Sequence, residues 1–314
     1  MSIPPYILLI LAPLFWSVNF LVGKALAGVI PAGFITLMRW LITSIILIPI
    51  YRKDLLKNRE LFTSGLSILI ALGLSGYFFN SVSTFLAVQH TTAINASFLT
   101  ALNPVAIVIA SSLLFKERST LIQLIGIVFS LFGVLWIVFK GHLTYIFSLQ
   151  VNLGDAFMLV AVISWALYSN ILKKKGSIFP WPALFAAMTI SAVAVSLPYS
   201  ILEVYWEGWE WILNLQGKHY LSILAIAIFP SLLAFYCWNT AMQKVDSSQA
   251  AVFINLIPVF TTILSIIFLG EKLMYHHIIG GLLIFLGVFM VTNHNVLSTK
   301  ISKIITTGSI EPRG

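Results

Sequence analysis

The sequence predicts an all-α integral membrane protein with ten transmembrane helices in two inverted five-helix repeats. Three observations predict this fold class. First, 59% of the 314 residues are apolar and only 9% are charged, whereas soluble domains carry about 25% charged residues. Second, the apolar residues gather into ten long runs. Third, the two halves of the chain can be aligned with each other.

Each apolar run has the length of a membrane-spanning helix, because a bilayer core about 30 Å thick needs roughly 20 apolar residues. The runs cover residues 6–26, 33–51, 64–87, 92–115, 119–139, 153–172, 182–202, 219–242, 247–269 and 275–293. The first run lacks a basic n-region and a small-residue cleavage site, so it is interpreted as a helix rather than a signal peptide.

Positive charges between the runs predict the orientation of the chain. If the N-terminus is cytoplasmic, thirteen Lys and Arg lie on the inner side and four on the outer side, which fits the positive-inside rule. We therefore expect a multi-pass protein of the plasma membrane with both termini cytoplasmic and a disordered cytoplasmic tail, 294–314. The net charge of +8 then reports orientation, and no nucleic-acid partner is expected.

Several classes of protein are disfavoured. Cys237 is the single cysteine, so neither an intramolecular disulfide nor a cysteine-based metal site can form. The sequence has no GxxxxGK[ST] phosphate loop and no converging acid, base and nucleophile. We expect no enzyme activity, no cofactor and no metal. The expected partners are a small-molecule substrate and the lipid bilayer, and the sequence allows a homodimer.

An internal repeat divides the chain into residues 1–140 and 153–293. At an offset of 154 residues, NPVAIVIASSLLFKER (103–118) aligns with IPVFTTILSIIFLGEK (257–272), and LAVQ (86–89) aligns with TAMQ (240–243). At an offset of 149 residues, Trp16 aligns with Trp165. Because each unit has five helices, an odd number, the two units must cross the membrane in opposite directions.

The segments WSVNFLVGKAL (16–26), MRW (38–40), LNPV…FKER and LIPV…LGEK, with the glycine-spaced fifth and tenth helices, resemble the two EamA domains of the drug/metabolite transporter superfamily. The resemblance extends over nearly the whole chain to about residue 293. It implies a ten-helix carrier that moves small metabolites, often amino acids or related compounds and often outward, through a central cavity. It does not identify the substrate.

Polar and aromatic side chains within the spans are the candidates for substrate binding. Amide side chains that face lipid are energetically costly, and aromatic rings offer stacking faces in an apolar pocket. The candidates are Trp16, Asn19, Tyr77, Asn80, Asn103, Trp165, Tyr168, Tyr236, Trp238, Asn239 and Asn255. The structural alternatives are amides that bridge helices and aromatics that pack or lie at the membrane interface.

Arg39 is the one charge well inside a span, about six residues from the outer end of the second run. An intramembrane cation can pair with a substrate carboxylate or phosphate. The alternative is a structural anchor, because six residues correspond to roughly 9 Å of helix and the side chain could reach the outer interface.

Pro104 and Pro258 lie at matching places in the fourth and ninth runs. They predict hinges or kinks beside the cavity, with freed carbonyls available to a substrate, or else tolerated kinks. Glu117 and Glu271 end the same runs and are interpreted as helix-start caps or loop-ordering ion pairs. The spaced glycines of the fifth and tenth runs predict close helix packing.

The sequence favours a secondary transporter that moves a small metabolite, an amino acid or its derivative, outward across the plasma membrane by alternating access. The absence of a mid-span Asp or Glu favours uniport or exchange over carboxylate-based proton coupling. A multidrug or other metabolite exporter is the alternative within transport. A membrane sensor that binds a ligand without moving it is the alternative of another class.

Overall fold

The computed structural model describes residues 4–116, 120–142, 152–242, 244 and 253–293, and these residues form helices and connecting loops, with no strand among them. The α-helices, in chain order, are α1 Pro5–Leu26, α2 Ala32–Lys57, α3 Arg59–Ser64, α4 Leu66–Leu72, α5 Asn80–His90, α6 Ala93–Thr100, α7 Asn103–Phe115, α8 Leu121–Val138, α9 Leu153–Lys175, α10 Trp181–Glu207, α11 Gly217–Ile226, α12 Ala234–Met242, α13 Leu256–Leu269 and α14 Tyr275–Thr292.

Seven helical stretches among the described residues are long and apolar enough to cross a membrane, and α6 with α7 makes an eighth if the pair forms one span. The chain is therefore a multi-pass membrane protein. The predicted ninth and tenth runs correspond to shorter helices, Leu256–Leu269 and Tyr275–Val291. Part of the predicted ninth run, 247–252, lies outside the described residues. The described helices thus fall short of the expected ten spans.

The best-packed helix pairs join the first half of the chain to the second. Helix α8 packs along α14, and α2 packs along α10. Helix α1 contacts α12 and α13, and α9 contacts α5 and α7. The interior of the bundle is therefore built from both halves together, and neither half has a core of its own.

Two π-helical segments interrupt the α-helical geometry. The first, Gly73–Phe79, joins α4 to α5, and the second, Ala227–Leu233, joins α11 to α12. Their first and last residues are related by the 154-residue offset that aligns the two halves of the sequence. A π-helical turn inserts one extra residue and is frequent at functional sites.

The fourth predicted run is broken near its middle. Helices α6 and α7 meet at an angle of 42°, and Asn103 and Pro104 form the first turn of α7. Proline suits this position because its missing N–H would have no partner in the first turn. In the second half, Pro258 is the third residue of α13 and follows a turn at Asn255.

Glycine faces allow close contact between α8 and α14. A Cβ atom on Gly126 would lie 2.6 Å from the carbonyl oxygen of Gly287, and one on Gly133 would lie 2.6 Å from that of Gly280. Real Cβ atoms essentially never approach another heavy atom so closely. The prediction of close packing between these helices is therefore confirmed.

The helix-cap interpretation of Glu271 is also confirmed. Its two carboxylate oxygens accept hydrogen bonds from the backbone N–H groups of Ala93, at 2.8 Å, and Ile94, at 3.0 Å. These N–H groups belong to the first two residues of α6 and have no partner within their own helix. Glu203 caps α2 in the same way through Gly33 and Phe34. Glu117 lies outside the described residues.

Candidate functional site

A cavity lies among α1, α2 and α9, the start of α5, and the break between α6 and α7. The first π-helical segment, α12 and residues 254 and 257 complete its wall. It contains about 640 Å³ of space free of protein atoms, counted together with the open space at its mouth. Six of the predicted site residues line this cavity: Trp16, Asn19, Arg39, Asn80, Asn103 and Trp165.

The guanidinium of Arg39 is buried at the cavity wall, with 4% of the residue exposed. Its Nε donates to Ser231 Oγ at 2.9 Å, and its Nη1 donates to Asn19 Oδ1 at 2.9 Å. Ser81 Oγ lies 3.5 Å from the same Nη1. All three acceptors are uncharged, and no described residue forms an ion pair with Arg39.

Aromatic faces contact the same guanidinium. Its central carbon lies 4.6 Å from the ring centre of Trp40 and 5.7 Å from that of Phe85. Such contacts favour a cation when water is excluded, yet they do not neutralise its charge. Arg39 therefore lies inside the bundle and lines the cavity, which differs from a side chain extended to the membrane interface. An uncompensated buried cation attracts an anionic group.

The candidate amides have different roles. Asn80 donates through Nδ2 to the carbonyl oxygen of Ala161 at 3.0 Å, a bridge between α5 and α9. Asn19 holds Arg39. The Oδ1 atoms of Asn103 and Asn255 are buried and have no hydrogen-bond partner among the described residues. An unsatisfied buried acceptor is costly. Asn103 lines the cavity, so its oxygen is available to a donor that enters, whereas Asn255 lies outside the described lining.

Aromatic rings form one wall of the cavity. The ring centres of Trp16 and Trp165 are 6.3 Å apart in an edge-to-face arrangement, and Trp165 lies 5.1 Å from Tyr168. Tyr168 in turn contacts Tyr77 at 5.8 Å. Tyr77 and Tyr168 are buried behind the lining residues, where they support Trp40 and Trp165. The wall offers a stacking surface for an apolar or aromatic group.

The remaining predicted residues lie outside this lining. Trp238 packs on Trp16 at 5.5 Å between ring centres, whereas Tyr236 is 58% exposed and turns away from the cavity. The side chain of Asn239 lies outside the described part of the structure. Pro104 and Pro258 are buried at the start of α7 and α13 without contributing to the described cavity wall.

The structure also brings residues to the cavity that the sequence did not single out as site residues. These are Phe20, Trp40, Gly76, Ser81, Thr84, Thr100, Phe235, Ile254 and Ile257. Ser81 and Thr84 could have been found, because they follow Tyr77 and Asn80 at helical spacing on one face. Ser231, the partner of Arg39 Nε, has no local signal in the sequence, since it lies 192 residues from Arg39.

A multi-pass helical bundle around a cavity that combines a buried cation, unpaired amide oxygens and aromatic walls defines a membrane protein of the small-molecule transporter class. The sequence profile of the EamA-like transporter family matches this chain twice, over residues 3–139 and 152–293. The chain belongs to the EamA-like transporter family.

Relatives with similar sequences span nearly the whole chain. The uncharacterized transporter YyaM of Bacillus subtilis is 26% identical over 90% of this chain and 92% of its own length. An uncharacterized transporter of Archaeoglobus fulgidus is 28% identical over 93% and 98%, respectively. A probable amino-acid metabolite efflux pump of Salmonella typhimurium is 26% identical over 56% of this chain and 59% of its own.

One solved crystal structure has a similar fold. It covers 92% of this chain and 96% of its own chain, with a TM-score of 0.59 and 20% sequence identity. At this identity the similarity concerns the fold alone.

Proposed function

We propose that this protein is a secondary transporter that exports a small metabolite, an amino acid or its derivative, across the plasma membrane by alternating access. The observation that carries the proposal is the cavity, in which the described residues give Arg39 no anionic partner and Asn103 Oδ1 no donor. A zwitterion supplies both groups: its carboxylate pairs with the guanidinium and its ammonium donates to the amide oxygen. The aromatic wall then receives the side chain of the substrate.

Alternating access is supported by the relation between the two halves. If ten helices form two inverted repeats, 1–140 and 153–293, a twofold operation exchanges α1 with α9 and α5 with α12. The contact between α1 and α12 then becomes the contact between α9 and α5, and both occur. The paired π-helical segments support the same relation. Two halves of similar structure that enclose one cavity can expose it to either side in turn.

Outward transport and the amino-acid substrate class are also supported by the name of the Salmonella relative, a probable amino-acid metabolite efflux pump. The charge distribution of the loops supports a plasma-membrane orientation with both termini cytoplasmic. The predicted cytoplasmic tail, 294–314, lies outside the described residues.

Flux through proteoliposomes tests the proposal. Vesicles preloaded with a pool of labelled amino acids are compared with protein-free vesicles, with and without a pH gradient. We expect amino-acid release that needs no pH gradient, and strong loss of release in Trp165→Ala. Trp206→Ala is the matched control, because Trp206 is exposed at the end of α10. Release that requires a proton gradient would contradict the uniport or exchange mechanism, and no release of any amino acid would contradict the substrate class.

A multidrug exporter is the second candidate, and the aromatic wall favours it. An apolar drug would stack on Trp16 and Trp165 without needing Arg39. Arg39→Gln separates the two functions in the same vesicles. If the protein exports amino acids, this substitution should abolish amino-acid release. If it exports drugs, the release of a cationic aromatic drug should stay intact, because a positive charge is not attracted by a guanidinium.

A further inference from the structure

Ser231 contacts the cavity only through another residue. It is fully buried, with 0% exposed, in the π-helical segment Ala227–Leu233. It does not belong to the described cavity lining. Its hydroxyl oxygen lies 2.9 Å from Nε of Arg39 on α2, in the opposite half of the chain.

The donor and acceptor sides of the Ser231 hydroxyl can be assigned. Its proton is donated to the carbonyl oxygen of Ile226, five residues earlier, at 2.9 Å. Since a hydroxyl has one proton and two lone pairs, the side that faces Arg39 must act as acceptor. The π-helical segment thus presents Arg39 with a hydrogen-bond acceptor of fixed position.

Two bonds fix the plane of the guanidinium. Ser231 holds Nε and Asn19 holds Nη1. Because the guanidinium is planar and rigid, these contacts also set the direction of Nη2, which has no hydrogen-bond partner among the described residues. The ring of Trp40 supports the guanidinium at 4.6 Å.

The surrounding turn of α2 is hydrogen-bonded to the first π-helical segment and contacts the second, while the proton of Thr43 Oγ1 is donated to the carbonyl oxygen of Arg39 at 2.7 Å. Trp40 Nε1 donates to the carbonyl oxygen of Tyr77 in the first segment at 2.9 Å. Thr43 Oγ1 lies 3.3 Å from the carbonyl oxygen of Ala227 in the second. Arg39 therefore has little freedom to reorient unless the bond to Ser231 is lost.

We propose that Ser231 is a positioning residue that holds the guanidinium of Arg39 with Nη2 free for the carboxylate of an anionic or zwitterionic substrate. Ser231 then determines the affinity for the carboxylate and not the rate of the transport cycle. The proposal rests on the proposed function in one respect, namely that Arg39 meets the substrate.

Three variants separate this role from a general effect on stability. Ser231→Ala removes the acceptor of Arg39 Nε, whereas Ser231→Thr keeps a hydroxyl. Ser130→Ala is the matched control: Ser130 is also 0% exposed, and its Oγ donates to the carbonyl oxygen of Ile284 between α8 and α14, away from the cavity. Each purified variant is first checked for a monodisperse profile by size-exclusion chromatography.

Transport kinetics provide the first readout. For each variant, KM and the maximal rate are measured with the amino acid that the wild type transports best and with its carboxamide, which lacks the negative charge. In Ser231→Ala we expect KM for the amino acid to rise about tenfold, with the maximal rate and the carboxamide kinetics unchanged. Ser231→Thr should restore the KM of the wild type, and Ser130→Ala should not alter it. An equal rise for the amino acid and the carboxamide would overturn the proposal.

Chemical labelling provides a readout that does not depend on transport. Phenylglyoxal modifies arginine, and peptide mass spectrometry locates the modified residue. Exposed Arg52 and Arg59 serve as internal references. We expect Arg39 to be labelled faster in Ser231→Ala than in the wild type and Ser231→Thr. Phenylglyoxal reacts with the two terminal nitrogens, and these become easier to reach when the bond that holds the guanidinium at Nε is lost. If the wild type moves no amino acid but labelling responds in this way, the substrate class fails and the positioning role stands. Equal labelling rates in all variants would overturn the positioning role.

Discussion

The contact between α8 and α14 makes a quantitative prediction about the double variant Gly126→Ala/Gly133→Ala. Each new Cβ would lie 2.6 Å from a carbonyl oxygen of α14, whereas ordinary van der Waals contact begins at 3.4 Å. The helices must therefore separate by roughly 0.8 Å at each site if contact distances are to become normal. Such overpacking costs about 1–3 kcal/mol per site, against an intrinsic helical gain of about 1 kcal/mol for alanine over glycine.

The net expectation is a loss of up to about 4 kcal/mol in the free energy of unfolding for the double variant. The assay is titration of the purified protein in mixed micelles with sodium dodecyl sulfate, followed by circular dichroism. Gly217→Ala is the matched control, because no atom lies within 4 Å of its added Cβ and only the helical propensity changes. A double variant more stable than the wild type by the full helical gain of about 2 kcal/mol would refute the inferred close packing of the two helices.

Three further predictions concern the caps, the cavity and the orientation. Glu271→Gln should lower the free energy of unfolding by about 1–2 kcal/mol, while KM stays constant. Ala93 and Ile94 donate to different carboxylate oxygens, and the amide keeps one acceptor oxygen while its NH2 group cannot accept. A change in KM with unchanged stability would contradict the cap. Asn103→Ala should weaken transport without lowering stability, since it removes a buried oxygen that has no partner among the described residues; normal flux would exclude this oxygen from substrate binding. A reporter fused to the C-terminus should be active in the cytoplasm, and activity on the outer side would contradict the loop-charge argument.

The sequence alone was informative where the physical cause is local. Backbone groups left unpaired in lipid are costly, so the chain crosses a bilayer as helices. The length of each apolar run therefore predicts a helix, and most predicted runs agree with the observed helices within a few residues. The repeat and the EamA-like family followed from motifs such as MRW and LNPV, and the profile match bears the family out. Arg39 was identified as a candidate because a charge within an apolar run is rare and expensive.

The sequence analysis left open whether Arg39 extends to the membrane interface or faces a cavity. Hydropathy records how deep a residue lies in a span and contains no information about its rotation around the helix axis. The tertiary structure turns Arg39 toward Asn19 and Ser231, partners that lie 20 and 192 residues away. No spacing rule connects residues so distant in the chain.

Phe235 and Tyr236 show most clearly that the sequence does not record the rotation of a residue around the helix axis. These neighbours lie directly after the second π-helical segment, and the sequence favoured Tyr236 because its hydroxyl suits a binding site. In the structure Phe235 lines the cavity and Tyr236 is exposed. One extra residue in a π-helical turn rotates everything that follows by about 100° relative to a continuous α-helix. Composition, motifs and the length of apolar runs therefore determined the class of protein, its repeat and the presence of a cation within a span. The rotation of each helix, and with it the membership of the cavity, was decided only by packing between the two halves.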